Sequence, residues 1–430
     1  MAGPVSDTSN VRQTVLPGGL LFLSERLPHI RSVALGLAYG VGGRDDPPGS
    51  EGLAHFFEHM VFKGTPDRTA RDISFEAESL GAELNAFTEK EQTCFVGRFP
   101  GDKQAEVTAL LAGIVAAPAF RAEETEREKS VIREEIQTAE DDPDSKAADL
   151  VYRALYGSHA LGAPVTGTPE AVAAFEPDGL RRLYGERYHA GSGMAVAVGD
   201  VRHDETADIL ARLVPARRLS GADRRSGPGP AERPVLVHTR PELTQVYVCL
   251  ALPAFAFGDE RRYALSVLNA ALGGGMSSRL FQRLREDEGL VYSVSSFVEL
   301  HGDTGFVGIY FVADRRKSDR CFDVLREELG RLRRDRVGAD EFERAVNMVR
   351  SSVVLGLESP LNRMLRLART QLLLGRFLTV DETLEAYGRL TLDEVNGLIE
   401  QVLGDEPFHA GAVGPIAPEE LSGLVAGLAD

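Results

Sequence analysis

The sequence predicts an α+β chain built from two homologous α/β-sandwich-like domains, each a sheet with helices packed on one face. Three observations predict it. Both halves of the 430-residue chain open with a strand–turn–strand pattern. Both close with a helix that runs into an apolar strand ending in glycine. A stretch rich in Pro, Gly and Arg, residues 215–234, lies between them.

The elements follow in chain order. Leu20–Ser24 and Ser32–Tyr39 read as strands joined by a Pro-containing turn. Residues 52–63 read as a helix, with Leu53, Phe56, Phe57, Met60 and Val61 on its apolar faces. Glu123–Glu140 reads as a long helix, and Leu180–Glu186 as a shorter one before the strand that ends at Gly199. The second half repeats the order. VLVHTRPELTQVYVCLALPA gives strand, turn and strand, and Glu260–Leu272 gives the helix. Asp340–Glu358 is the long helix, and Leu392–Leu403 precedes the strand that ends at Gly414. Ser32 and Gln245 are 213 apart, and Gly199 and Gly414 are 215 apart. A near-constant offset at both ends marks a duplication. The expected domains are 1–214 and 235–430, with 215–234 as a linker. His189 and His409 fall near the two ends of the repeat, which favours a structural place for them.

Composition narrows the function. The chain carries 48 Lys+Arg against 65 Asp+Glu, a net charge of −17. Nucleic acid and anionic membrane surfaces need a basic footprint, so neither is expected as a partner. The longest apolar run, residues 109–120, is too short to span a bilayer. No secretory or transit pattern is legible at the N-terminus, so a cytoplasmic location is expected. Cys94, Cys249 and Cys321 are an odd, widely spaced set and are expected as buried thiols.

The chemistry sits in the first half. The helix 52–63 carries His55, Glu58 and His59 as H-x-x-E-H. Histidines at i and i+4 share one face and can grip one cation, with Glu58 beside them. A catalytic zinc needs a further protein donor. The helix Glu123–Glu140 offers Glu128 and Glu135, seven residues apart on one face, with Val131 between them expected to point that face inward. The second half has no H-x-x-E-H. Its Gly273-Gly-Gly-Met run lacks the G-K-[ST] of a phosphate loop, so no nucleotide is expected.

These residues resemble the pitrilysin family of inverted zinc metallopeptidases, which includes insulin-degrading enzyme and the mitochondrial processing peptidases. Glu135 lies 76 positions after His59, and Glu128 stands seven before Glu135, as in that family. The resemblance implies zinc, one per chain, held by His55, His59 and Glu135. It implies Glu58 as general base and Glu128 as the carboxylate that orients a histidine ligand. Glu134 competes with Glu135 but is turned about 100° away on the helix. The run Asn85, Ala86, Phe87, Thr88 resembles a family edge strand that pairs with the peptide substrate. Arg285 and Tyr292, seven apart, resemble a family Arg/Tyr pair that holds the substrate near the metal. The implied activity is a zinc-dependent endopeptidase, with 1–214 as the catalytic domain and 235–430 as a metal-free homologue. Longer relatives carry four such domains, so a homodimer is expected, each site taking zinc from one subunit and Arg285/Tyr292 from the other. The resemblance leaves two alternatives: the catalytic subunit of a heterodimer with a zinc-free paralogue, or a non-catalytic scaffold.

Overall fold

Alternation of large and small side chains along the strands builds both sheets. A computed structural model describes residues 10–428, except 215, 217–226, 229–233 and 405. Most of the expected linker 215–234 and the first nine residues therefore lie outside the described residues. The strands are β1 (Val11–Val15), β2 (Leu21–Arg26), β3 (Ser32–Tyr39), β4 (Glu83–Thr88), β5 (Thr93–Pro100) and β6 (Gly193–Gly199) in the first half. The second half has β7 (Val235–Thr239), β8 (Gln245–Ala254), β9 (Val291–Leu300), β10 (Gly305–Asp314) and β11 (His409–Gly414).

The two sheets repeat one topology. The first has the order β1-β2-β6-β3-β5-β4 and the second β7-β11-β8-β10-β9. Dropping β1 superposes the orders, so β3 corresponds to β8 and β6 to β11. In each sheet one pair is parallel, β2 with β6 and β7 with β11, and the remaining pairs are antiparallel. The repeat extends to the glycines that close it. Gly199 and Gly414 both have positive φ, and a Cβ there would meet the carbonyl oxygen of Ser32 at 2.0 Å and of Gln245 at 2.6 Å. A side chain at either would push the end strand off the strand beside it. His189 and His409 are not equivalent, because His409 opens β11 whereas His189 precedes β6 by four residues.

The compact units are not the sequential halves. One unit holds residues 1–136, 164–226 and 355–381, and the other 137–163, 227–354 and 382–430. The reason is a reciprocal exchange of one helix. In the first unit β3 points Val33, Leu35, Leu37 and Tyr39 into a core shared with Phe56, Phe57, Leu110 and Leu111. Its other face presents Ala34 and Ala38, and these pack on Met364, Leu367 and Ala368 of the helix Pro360–Leu374. Gly36 lies beneath Met364, where a Cβ would sit 2.4 Å from its Sδ. In the second unit β8 points Val246, Val248, Leu250 and Leu252 into the main core. Cys249 and Ala251 on the far face meet Ala147, Val151 and Leu155 of the helix Pro143–Tyr156. Each sheet thus carries its own helices on one face and a single helix from the other half of the chain on the second face. Cys94, Cys249 and Cys321 are buried and free. Among the described residues no helix is long and apolar enough to cross a membrane.

Candidate metal site

The helix Leu53–Val61 is fixed by its apolar side. Phe57 packs edge-on against Phe120, Tyr184 and Tyr188, and Phe56 against Phe175. Locking that face sets the rotation of the helix and so turns His55, Glu58 and His59 to the other side. Its start is fixed too. Gly52 takes φ +92°, and a Cβ there would lie 2.6 Å from the Thr166 carbonyl oxygen. The backbone N–H groups of Gly52 and Ala54 donate to Asp46 at 2.9 and 3.0 Å. A carboxylate on these unpaired amides anchors the first turn. Burial raises the Asp46 pKa to about 7, against the lowering pull of Arg187 and the backbone amides. Asp46 was missed in the sequence reading. The signal was an acidic residue ahead of a glycine that starts a helix.

The same loop reaches the hairpin of β4 and β5. Arg44 and Glu91 form a buried ion pair at 2.7 Å, and the backbone amides of Gly43 and Arg44 donate to the carbonyls of Glu89 and Lys90. Removing either member of such a pair strands a buried charge, at about 3–5 kcal/mol. One loop therefore ties the metal-site helix to the hairpin beside it.

The long helix Ala122–Asp141 supplies the acids. Its buried line runs Thr125, Glu128, Ile132, Ile136, not through Val131, which is 47% exposed. The inward face expected through Val131 is thus rotated towards Ile132. Glu128 lies on the buried line and Glu135 at its margin. That rotation leaves Glu128 only 2% exposed while the Glu135 side chain stays 44% exposed.

His55, His59 and Glu135 converge: a ligand atom from each lies within 4.8 Å of the others. The two Nε2 atoms are 3.3 Å apart, and Glu135 stands 3.7 Å from His55 Nε2 and 3.6 Å from His59 Nε2. Zinc–nitrogen bonds of about 2.0–2.1 Å in a tetrahedron put donor atoms about 3.3–3.4 Å apart. The donor set and its spacing therefore fit a zinc ion. Behind the pair, Glu128 Oε1 accepts from His59 Nδ1 at 2.7 Å, and Lys63 Nζ donates to Glu128 Oε2 at 2.7 Å. Burial and the neighbouring His59 lower the His55 pKa to about 4, so the ring is neutral at pH 7. Burial pulls the His59 pKa down, but the bond to Glu128 and the nearby carboxylates raise it overall. Burial alone would raise Glu128, yet its bonds to His59 and Lys63 hold it below the usual carboxylate range.

Glu58 projects beside the cluster. Burial raises its pKa, opposed by the Thr88 hydroxyl and by His59. One of its oxygens is buried with no hydrogen-bond partner.

Asn85, Ala86, Phe87 and Thr88 lie on β4, the edge strand of the first sheet. Glu89 N–H donates to Gln92 O, and the register pairs Phe87 with Cys94 and Asn85 with Val96. Antiparallel bonding alternates, so the backbones of Leu84, Ala86 and Thr88 face the open edge. In the second unit, residues Phe281–Asp287 wind as a π-helix. The Arg285 guanidinium lies 5.5 Å from the Tyr292 ring centre, and Tyr292 is 79% exposed.

Two family models match the chain: Insulinase (Peptidase family M16) over residues 21–169, and Peptidase M16 inactive domain over residues 174–349. An uncharacterized zinc protease of Streptomyces coelicolor is 36% identical over 424 residues, covering 96% of this chain and 92% of its own. Among solved structures, a peptidase M16 inactive domain from Pseudomonas fluorescens has a TM-score of 0.87 at 20% identity, covering 95% of this chain and 98% of its own. A chain of complex III2 from Candida albicans has a TM-score of 0.84 at 20% identity, covering 97% and 99%. The last two share the fold. With both M16 models matched between residues 21 and 349 and a relative aligned almost end to end, this chain belongs to peptidase family M16.

Proposed function

We propose that this chain is a zinc-dependent endopeptidase. The observation that carries the reading is the convergence of His55, His59 and Glu135, with Glu128 bonded behind His59 and Glu58 alongside. The naming of the Streptomyces coelicolor relative as a zinc protease supports it. The residues that would hold zinc are His55, His59 and Glu135, one ion per chain. When bound, zinc supplies a Lewis acid that makes water nucleophilic near neutral pH and polarises a carbonyl.

The chain's own groups do the rest. Glu128 takes a bond from His59 Nδ1–H and so leaves His59 Nε2 with its lone pair free. Glu58 accepts a proton from the attacking water on its unpartnered oxygen and returns it to the leaving amine. The open backbone of β4 at Leu84, Ala86 and Thr88 pairs with an extended peptide, a mode that reads main chain more than side chains. Arg285 and Tyr292 donate to the substrate carbonyl as it gains negative charge. They come from the unit without metal donors, and we propose that a homodimer supplies them across subunits.

The test is Glu58→Gln, which keeps size and hydrogen bonding but cannot take the proton. It should bind zinc as wild type does and lose about 100-fold or more in kcat on peptides. Cleavage at the wild-type rate would remove Glu58 from its role. A second reading is a non-catalytic scaffold, since the same fold occurs in a chain of a larger assembly, complex III2 from Candida albicans. A zinc-loaded wild-type chain that cleaves no peptide would favour it.

A further inference from the structure

Lys63 is left unused by the reaction just described, yet it touches the site. His55, His59 and Lys63 are spaced by four residues. That spacing stacks them along one side of a helix. The helix ends at Val61 with Phe62 as its cap, and Lys63 follows directly. Its side chain is 31% exposed, whereas the Glu128 side chain it meets is 3% exposed. Lys63 Nζ donates to Oε2 of Glu128 at 2.7 Å, while Oε1 accepts from His59 Nδ1 at 2.7 Å. Both oxygens are engaged, one by an ammonium and one by an imidazole.

This arrangement has a consequence for His59. A buried carboxylate without a counter-charge is strongly unfavourable. Without Lys63, Glu128 would turn towards water or draw water in, and its hold on Nδ1–H would slacken. That bond decides which His59 nitrogen carries the proton. With Nδ1–H held, the Nε2 lone pair faces His55 Nε2, 3.3 Å away, and Glu135.

We infer that Lys63 is a positioning residue for the metal site: it fixes Glu128, and Glu128 fixes His59 in the tautomer that offers Nε2 to a divalent cation. The inference rests on reading His55, His59 and Glu135 as a zinc site. It does not depend on which peptides are cleaved or whether any are.

The test is a double-mutant cycle on Zn2+ affinity. Full-length wild type, Lys63→Met, Glu128→Gln and the double variant are titrated with Zn2+ in competition with a chromophoric chelator. Lys63→Met should weaken binding about 10–100-fold, the loss typical of removing a group behind a metal ligand. Lys63→Arg should recover most of it. In the Glu128→Gln background, Lys63→Met should change affinity less than about twofold, because the carboxylate it acts through is gone. Wild-type affinity in Lys63→Met overturns the inference. An equal loss in both backgrounds also overturns it, since Lys63 would then act on the fold or on the ion directly. The double variant leaves no unpaired charge in the interior. If the single variant unfolds, Zn2+ affinity is read on Lys63→Gln instead, where a loss that disappears in the Glu128→Gln background supports the inference and wild-type affinity overturns it. If both unfold, the role is structural and the inference fails. A wild-type chain that takes up no Zn2+ would instead count against the zinc reading itself.

Discussion

Glu58 and Glu128 are two carboxylates on different helices whose surroundings push them in opposite directions. Glu128 accepts from an imidazole and an ammonium, which holds it ionised. Glu58 is half-buried beside the cluster, and its partial burial raises its pKa. The acid proposed to orient and the base proposed to move a proton are thus set apart by environment. The sign for activity follows. Glu58 works only when ionised, so kcat/KM should rise with pH and level off above its raised pKa. Partial burial of Glu58 pushes that acid limb upward. A profile flat down to the pKa of a free glutamate would remove burial of the base from the mechanism. His55, Glu58, His59, Glu128 and Glu135 were all legible in the sequence, because helical spacing alone puts them on usable faces. Lys63 and Asp46 were not. Lys63 acts through Glu128, which is distant in sequence, and Asp46 lies outside the helix whose first amides it binds six and eight residues on.

At the scale of elements, the metal-site helix, the loop at residues 42–46 and the β4–β5 hairpin form one tethered piece. Asp46 caps the helix, and Arg44 grips Glu91 in the hairpin turn. The open edge of β4 is held beside Glu58 by these contacts. Proline at position 86 tests the use of that edge. Ala86 faces outward in the alternation, where its N–H donates to the Asn85 side chain at 2.9 Å, so Ala86→Pro removes a donor from the edge without removing a bond to β5. It should raise KM for peptides several-fold to tenfold, about 1 kcal/mol, with little change in melting temperature. Unchanged KM in a folded variant would take the peptide off this strand. The strand itself was readable from its residues. That it stands at the edge of its sheet depends on the order of six strands, which local pattern does not give.

Over the whole molecule, the duplication was legible and the helix exchange was not. Offsets of 213 and 215 marked equivalent strands, and the two sheets share one order. The exchange left a fainter trace: the small residues Ala34, Gly36 and Ala38 on one face of β3, with larger ones between them. Such a face announces a close helix but not which part of the chain supplies it. In the proposed function the two units also divide the chemistry, with the proposed metal donors in one and Arg285/Tyr292 in the other. If a homodimer shares them across subunits, Glu58→Gln and Arg285→Ala chains should complement when mixed. A symmetric two-site dimer predicts recovery of about a quarter of wild-type activity. No recovery after subunit exchange, or full activity at monomer mass in sedimentation, would contradict the shared site. All of this chemistry depends on a metal held by His55, His59 and Glu135, and metal content per purified chain measures it, for wild type and for Glu135→Gln. About one zinc per wild-type chain is expected, lost or much reduced in Glu135→Gln. A wild-type chain that stays free of metal after zinc is added would contradict it.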